Sequence, residues 1–259
     1  MHMPRCARRL GWKRWNRADN AWPSPPAICR DRDRPTRRLF QTISPSTMRV
    51  RQITAADATG ALRAELAQCM TASFLTSSLT LDDTWVSMWG SDPAFTESLF
   101  SDAITNALQK WEVWVTEEEE KILGVALWCP PGVGFDTTFL RRSIVALPPA
   151  HRDHFVSHIS PQFRIMETIL PGHDVKWWYL AFLATHPDAK GKGVGTALLK
   201  AGAERAGTTP LALSTGNDAN QAFYEGRGYV KRGEVGATLV DGYVWTERLM
   251  VCPGDAEIA

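Results

Sequence analysis

Between Asp188 and Leu199 the chain reads Asp-Ala-Lys-Gly-Lys-Gly-Val-Gly-Thr-Ala-Leu-Leu. Gly191, Gly193 and Gly195 let the backbone turn tightly and approach a ligand closely. An amphipathic helix follows, with Val194, Ala197, Leu198 and Ala201 at i, i+3, i+4 and i+7. A helix that opens here points unpaired N–H groups and its positive end back at the loop. The amides of Gly191, Lys192, Gly193, Val194, Gly195 and Thr196, with Lys190 beside them, therefore read as an anion site suited to a pyrophosphate. Two other phosphate loops are excluded. No G-x-x-x-x-G-K-[ST] string occurs, and Gly191-x-Gly193-x-Gly195 lacks the G-x-G-x-x-G spacing of a dinucleotide loop.

The elements around this loop alternate between strand and helix patterns. Met48 to Ile53 alternates apolar and polar, as a half-buried strand does, and Thr54-Ala-Ala-Asp57 resembles a capping box opening a helix. Segments 58–75 and 93–109 read as helices. Residues 110–116 and 121–129 read as two strands of an antiparallel hairpin, joined by a turn at 117–120 and ended by Pro130-Pro131-Gly132. Segment 137–170 reads as two helices broken at Pro148-Pro149. The most apolar strand spans 175–185, immediately before the glycine loop. A helix over 194–206, a buried strand over 211–214, a helix over 218–226 and strands over 229–234 and 243–250 complete the chain. This mixture, without an internal repeat, predicts a single α/β domain with a mixed central sheet flanked by helices.

Composition sets outer bounds. The chain has 259 residues, 44% of them apolar and 22% charged, as in an ordinary globular protein. No run of about 18 apolar residues suggests a membrane span. The five cysteines are widely spaced and include no C-x-x-C pair, which argues against a zinc ribbon or a disulfide scaffold and for a reducing, cytoplasmic compartment. The net charge of +1 joins two unlike parts. Residues 1–47 carry eleven Lys/Arg and three Asp/Glu, whereas residues 48–259 carry 18 and 25. The first part is also broken by Pro23, Pro25, Pro26, Pro35 and Pro45, and reads as a basic, disordered extension ahead of the domain at 48–259. It has no apolar h-region; a mitochondrial presequence is the alternative, and a nucleic-acid-binding role is not expected.

The glycine loop carries a resemblance. Lys190-x-x-Gly193-x-Gly195 after Leu183-Ala184-Thr185-His186-Pro187 resembles the acetyl-CoA motif of the GNAT superfamily of N-acetyltransferases, with Lys in place of the usual Gln or Arg. A second block, Leu213-Ser-Thr-Gly-Asn-Asp-Ala-Asn-Gln-Ala-Phe-Tyr-Glu-Gly-Arg-Gly-Tyr229, is similar to the family's Asn, Tyr and glycine–aromatic pattern through Asn217, Asn220, Tyr224 and Gly228-Tyr229. The resemblance covers about 48–250 and is specific over 177–230. Trp178-Tyr-Leu, Phe223-Tyr-Glu and Val125-Ala-Leu-Trp are most similar to the puromycin N-acetyltransferase type of small-molecule enzyme.

The resemblance implies a GNAT-like fold, acetyl-CoA as co-substrate, no metal, and direct acetyl transfer to the amine of a small molecule. It implies that the strand ending at Thr185 splays from the strand at 211–214 to admit the pantetheine arm, with Leu183, Ala184 and Thr185 against the cofactor. A backbone N–H near Leu183 would polarise the thioester carbonyl, Asn220 would hydrogen-bond the arm, and Tyr224 would be the general acid at the sulfur. Asn217 reads as a helix cap. Charge fits this picture: residues 186–232 hold seven basic and four acidic side chains, and residues 48–185 hold ten and sixteen, a basic corner for phosphates beside an acidic remainder for a cationic amine.

The general base stays open among Glu112, Glu117, Glu167, His173, Asp174 and a water chain. His151, His154 and His158 would share a helix face, as metal ligands or as a surface or pocket lining. Trp85, Trp89, Trp128, Trp177 and Trp178 could line a flat substrate pocket or fill the core. The rival functions are a protein or peptide acetyltransferase, which would show an open acidic groove and an exposed tryptophan rim, and a silent CoA-binding domain. The expected state is a monomer or homodimer with no membrane partner. If the domain begins at Met48, a chain starting there keeps its melting temperature and CoA affinity, and differential scanning calorimetry with CoA titration checks both.

Overall fold

The computed structural model describes residues 48–78, 84–172, 176–254 and 258. The expectations for 1–47, and for His173 and Asp174, lie outside these residues. Strand β1 (Arg49–Ile53) leads into a turn in which Asp57 accepts hydrogen bonds from the Thr54 N–H and hydroxyl at 3.0 and 2.6 Å. Only half of the expected capping box therefore forms, since the Asp57 N–H donates to Thr54 O and not to its hydroxyl, and it closes only a turn. Helix α1 (Gly60–Ser78) starts later and takes its cap from Thr59, whose hydroxyl accepts from the Leu62 N–H at 3.2 Å. A short helix α2 (Thr84–Trp89), which the sequence pattern did not predict, precedes α3 (Pro93–Lys110). Asp92 caps α3 through the Ala94 N–H, and Pro93 occupies its first turn.

The hairpin is β2 (Glu112–Glu118) and β3 (Lys121–Cys129), turned by Glu119 and Glu120 at φ 50° and 67°. That left-handed pair matches the twist of a two-residue hairpin even without glycine. Helix α4 (Leu140–Ala146) ends before Pro148-Pro149, as expected. Helices α5 (Pro149–His154) and α6 (Ser160–Ile169) are joined without a break by a π turn over Phe155–Ile159. Pro161 has no N–H to donate, and the wider turn, in which the Ser160 N–H reaches Phe155 O, absorbs that loss. After β4 (Trp178–Thr185) come α7 (Val194–Ala206), β5 (Leu211–Thr215), α8 (Asp218–Glu225), β6 (Val230–Thr238) and β7 (Val244–Cys252).

Among the described residues seven strands form one mixed sheet in the order β1-β2-β3-β4-β5-β7-β6, in which β4 and β5 are the one parallel pair. Apolar residues on the two faces form separate cores. One joins α1 and α3 to the sheet through residues such as Leu66, Met70, Phe100, Val113 and Leu249. The other packs α7 through Val194, Leu198 and Leu199 against Ala126, Trp128, Leu180, Leu213 and Met250. This is the single mixed α/β domain that the sequence predicted. Among the described residues no helix is long and apolar enough to cross a membrane.

Two glycines set how closely α7 approaches β3. A Cβ on Gly124 would lie 2.4 Å from Val194 Cγ1, and one on Gly202 would lie 2.4 Å from Trp128 Cζ2. Trp128 is wholly buried, so its ring cannot swing away. Gly202→Val is expected to destabilise the fold by about 2 kcal/mol through overpacking. In a domain of this size that lowers the melting temperature by about 4–8 °C, which a thermal scan measures.

Candidate functional site

The parallel pairing of β4 with β5 stops early. It joins Trp178 to Leu211, Tyr179 to Ala212 and Leu180 to Leu213, and goes no further, although β4 continues to Thr185. The cause lies on the other edge of β4. Leu180 pairs with Trp128 and Phe182 with Leu127, so Ala181 is an extra residue. Such a bulge bends a strand and increases its twist. Beyond it, β4 stays on β3 and leaves β5. Tyr179 spans the two strands where they part, its hydroxyl 3.1 Å from Ser214 Oγ.

Strand alternation then fixes which amides face the gap. The His186 N–H donates to Leu123 O at 2.8 Å, so the Ala184 N–H also points at β3. The N–H groups of Leu183 and Thr185 point the other way. That of Thr185 is taken by Ser73 Oγ of α1 at 3.1 Å. That of Leu183 faces the gap, where no β5 residue pairs with it. Among Leu183, Ala184 and Thr185, only Leu183 thus directs an amide into the opening.

The glycine loop lies at the end of β4. Gly191 and Gly193 have φ of 76° and 83°, a left-handed backbone, with open space where a Cβ would be. Gly195 serves differently: a Cβ there would meet Phe223 Cζ at 3.1 Å, Thr185 Oγ1 at 3.6 Å and Leu183 Cδ2 at 3.8 Å. Helix α7 starts at Gly193 without a side-chain cap. Among the described residues the amides of Gly191, Gly193, Val194, Gly195 and Thr196 have no acceptor, whereas that of Lys192 donates to Ala189 O at 3.2 Å. Lys190 and Lys192 are exposed.

Arg227 was counted only as local charge in the sequence, yet it belongs to this corner. Its Nε and Nη2 donate to Thr196 Oγ1 at 2.9 and 2.7 Å, and its guanidinium stacks 3.7 Å from the centroid of Phe223. A cation placed at the positive end of a helix is unfavourable alone. Five amides without an acceptor among the described residues, together with the Arg227 guanidinium, lie at the start of α7, an arrangement that favours an anion.

Helix α8 supplies the rest. Asn217 caps it, accepting the Asn220 N–H at 2.6 Å, as expected. Asn220 is exposed, leaving its side-chain amide open to a ligand. Tyr224 is 8% exposed and packs on Phe223 and Tyr229 at 5.2 and 5.5 Å. Among the described residues its hydroxyl has no hydrogen-bond partner. Burial first, then the charge of Glu247, push the phenol above its ordinary range, so it is protonated at neutral pH.

The remaining sequence candidates lie elsewhere. Glu112 is held by Arg205, near the C-terminal end of α7, at 2.9 Å. Glu117 pairs with Arg51 of β1 at 2.8 Å. Glu167, on α6, accepts the Gly172 N–H at 2.6 Å. The rings of His154 and His158 stack 4.4 Å apart, and His154 Nε2 contacts Thr238 O at 2.8 Å. Among the described residues no three His, Cys, Asp or Glu side chains are placed to hold a metal ion. Trp89, Trp128 and Trp178 are buried, Trp85 and Trp177 half-buried.

A parted parallel pair and an uncapped helix opening on a left-handed glycine loop are features that suit a phosphate-bearing thioester. The family model for the acetyltransferase (GNAT) family matches residues 81–229, more than half of the chain. The chain belongs to the GNAT acetyltransferase family. It is an N-acetyltransferase that draws on acetyl-CoA. Among solved structures, this GNAT protein is similar to histone acetyltransferase HPA2 and related acetyltransferase from Corynebacterium glutamicum, at 23% identity and a TM-score of 0.52 over 80% of this chain and 96% of that one. It is also similar to yncA from Salmonella typhimurium, solved with its cofactor acetyl-CoA, at 16% identity and a TM-score of 0.47 over 83% and 98%. The ribosomal-protein-S18-alanine N-acetyltransferase from Escherichia coli matches at 12% and 0.46 over 82% and 96%. The first of these likenesses shows a shared fold.

The loop assignment is checked at Gly193. A β-branched side chain at φ 83° costs about 1–2 kcal/mol of backbone strain and crowds the amides. Gly193→Val is expected to weaken CoA binding at least tenfold, about 1.4 kcal/mol. Unchanged calorimetric affinity in a folded variant removes the loop from the cofactor site.

Proposed function

We propose that this acetyltransferase moves the acetyl group of acetyl-CoA directly to the amine of a small molecule. The observation that carries the choice of a small acceptor is the closure of the β6–β7 hairpin onto α2. Tyr243 Oη lies 3.1 Å from Thr84 Oγ1, and the Ser87 hydroxyl, followed by the Tyr243 N–H, holds Asp241 below the usual carboxylate range. No described tryptophan is exposed, so the rim that would favour a peptide chain is missing among the described residues. The acidic balance of residues 48–185 suits a cationic acceptor.

The roles follow from placement. The amides of Gly191, Gly193, Val194, Gly195 and Thr196 hold the pyrophosphate, with Lys190, Lys192 and Arg227 neutralising its charge. Leu183, Ala184 and Thr185 line the arm from β4, and Asn220 hydrogen-bonds it from α8. Acetyl-CoA supplies the reactive thioester. The Leu183 N–H polarises the acetyl carbonyl; one such donor is worth about 10²–10³ in rate. Tyr224 donates to the departing sulfur. A buried phenol with a raised pKa donates late, once negative charge has gathered on its acceptor, so Tyr224 acts on the transition state more than on the bound reactants.

Thiol release from acetyl-CoA against puromycin, polyamines and peptides tests the reading. Turnover of small amines above peptides is expected, and preference for a peptide overturns it. Tyr224→Phe keeps the ring and removes the proton. Its kcat is expected to fall about 10²–10⁴-fold with CoA affinity nearly constant. Wild-type kcat in this variant would take Tyr224 out of the mechanism.

A further inference from the structure

We infer that Glu247 is the carboxylate that receives the acceptor's ammonium and takes its proton. The inference rests on the N-acetyltransferase reading and names the group that the candidates Glu112, Glu117 and Glu167 do not supply.

The placement comes from β7. Trp245, Glu247, Leu249 and Val251 alternate onto the face covered by α1 and α3, and the Trp245 indole N–H donates to Glu247 Oε2 at 3.2 Å. Arg248 turns to the other face, where it pairs with Asp218. Gly216 follows the last residue of β5, at the end of the parted strand. A Cβ built there would lie 3.3 Å from Glu247 Oε2 and 3.0 Å from Thr84 Cγ2. The carboxylate therefore reaches over the end of β5 toward α2. A side chain larger than hydrogen at 216 would fill that space.

Aromatic rings continue the wall from α2 back to β4. Trp85, next to Thr84, packs on Phe74 at 4.8 Å, and Phe74 meets Phe182 of β4 at 6.2 Å. All three rings are half-buried. Phe182 belongs to the stretch of β4 beyond the bulge, next to the Leu183 amide. One circuit thus runs from the amide through three aromatics to Thr84, Gly216 and Glu247. Of the residues named on it, only Glu247 carries charge. The chemistry this recognises is a primary ammonium on an aromatic or apolar body, the charge on Glu247 and the body against the rings.

Tyr224 lies on the opposite face of the sheet, near enough that Glu247 contributes to raising its pKa. Acid and base thus approach the opening from its two sides. The proton count closes on them. Glu247 takes one proton from the ammonium and passes it to solvent. The freed amine bonds to the acetyl carbon as the carbon–sulfur bond breaks. Tyr224 gives its proton to the sulfur and regains one from the nitrogen. The products are an amide, a thiol and one released proton.

The test compares wild type with Glu247→Gln, which keeps an oxygen for the Trp245 indole. With CoA bound, wild type is expected to bind 2-phenylethylammonium at least tenfold more tightly than uncharged 2-phenylethanol, and Glu247→Gln is expected to lose that preference. With the best acceptor, kcat/KM of Glu247→Gln is expected to fall at least about 10²-fold, the scale of general base catalysis, with CoA affinity and melting temperature kept and partial rescue by Glu247→Asp. A Glu247→Gln enzyme with an intact ammonium preference or an intact rate overturns the inference, as does a wild type with no such preference. If the preference is lost as expected while wild type releases no thiol with any amine, the charge site stands and the small-molecule acetyl-transfer reading falls.

Discussion

One inserted residue, Ala181, organises the site. A regular β4 would hydrogen-bond along its length to β3 on one edge and β5 on the other, and every amide near its end would be consumed. The bulge lets β4 keep β3 while leaving β5 after Leu180. That parting leaves the Leu183 amide without a ladder partner in the interior of a sheet. It also leaves a gap in the strand pairing between β4 and β5, flanked by α7 on one face and α1 on the other. A donor molecule and an acceptor can then enter from opposite faces and meet in the middle.

The rest of the cofactor corner adapts to that opening. Helix α7 is drawn close to β3 because Gly124 and Gly202 remove the side chains that would hold it off, so its first turn arrives beside the end of β4. Gly195 lets Phe223 approach that turn, and Phe223 in turn carries Arg227 to Thr196. The amides at the start of α7 and Arg227 together favour an anion, and a ligand that binds there stabilises the folded state by mass action.

What could be read from the chain beforehand divides by range. The helix over 194–206, the Asn217 cap and the return strand at 121–129 rest on local rules, namely apolar period, cap chemistry and turn spacing, and appear where those rules put them. The Thr54–Asp57 pair made only half of a capping box and did not start the helix, because Ala58 and Thr59 intervene and Thr59 caps better placed amides. The bulge left no trace: Trp178 to Thr185 is apolar throughout, and an extra residue in a strand buried on both faces does not disturb a pattern that has no alternation to break. Helix α2 is too short to show a period. Glu247 sits in a strand far along the chain from the glycine loop, so only the crossing of β7 beside β5 brings it to the opening.

Under the roles proposed above, the charge of Glu247 bears on when Tyr224 gives up its proton. While Glu247 is charged, it adds to the burial that holds the proton on Tyr224, and so keeps the phenol intact when an amine first enters. An ammonium seated on Glu247 offsets that charge, and a proton accepted by Glu247 removes it. Either event lowers the cost of drawing the Tyr224 proton toward a departing sulfur. The acid thus becomes more willing at the moment the base has acted. The coupling depends on low local polarity, which the burial of Tyr224 and the aromatic wall of Phe74, Trp85 and Phe182 maintain on both sides of the opening.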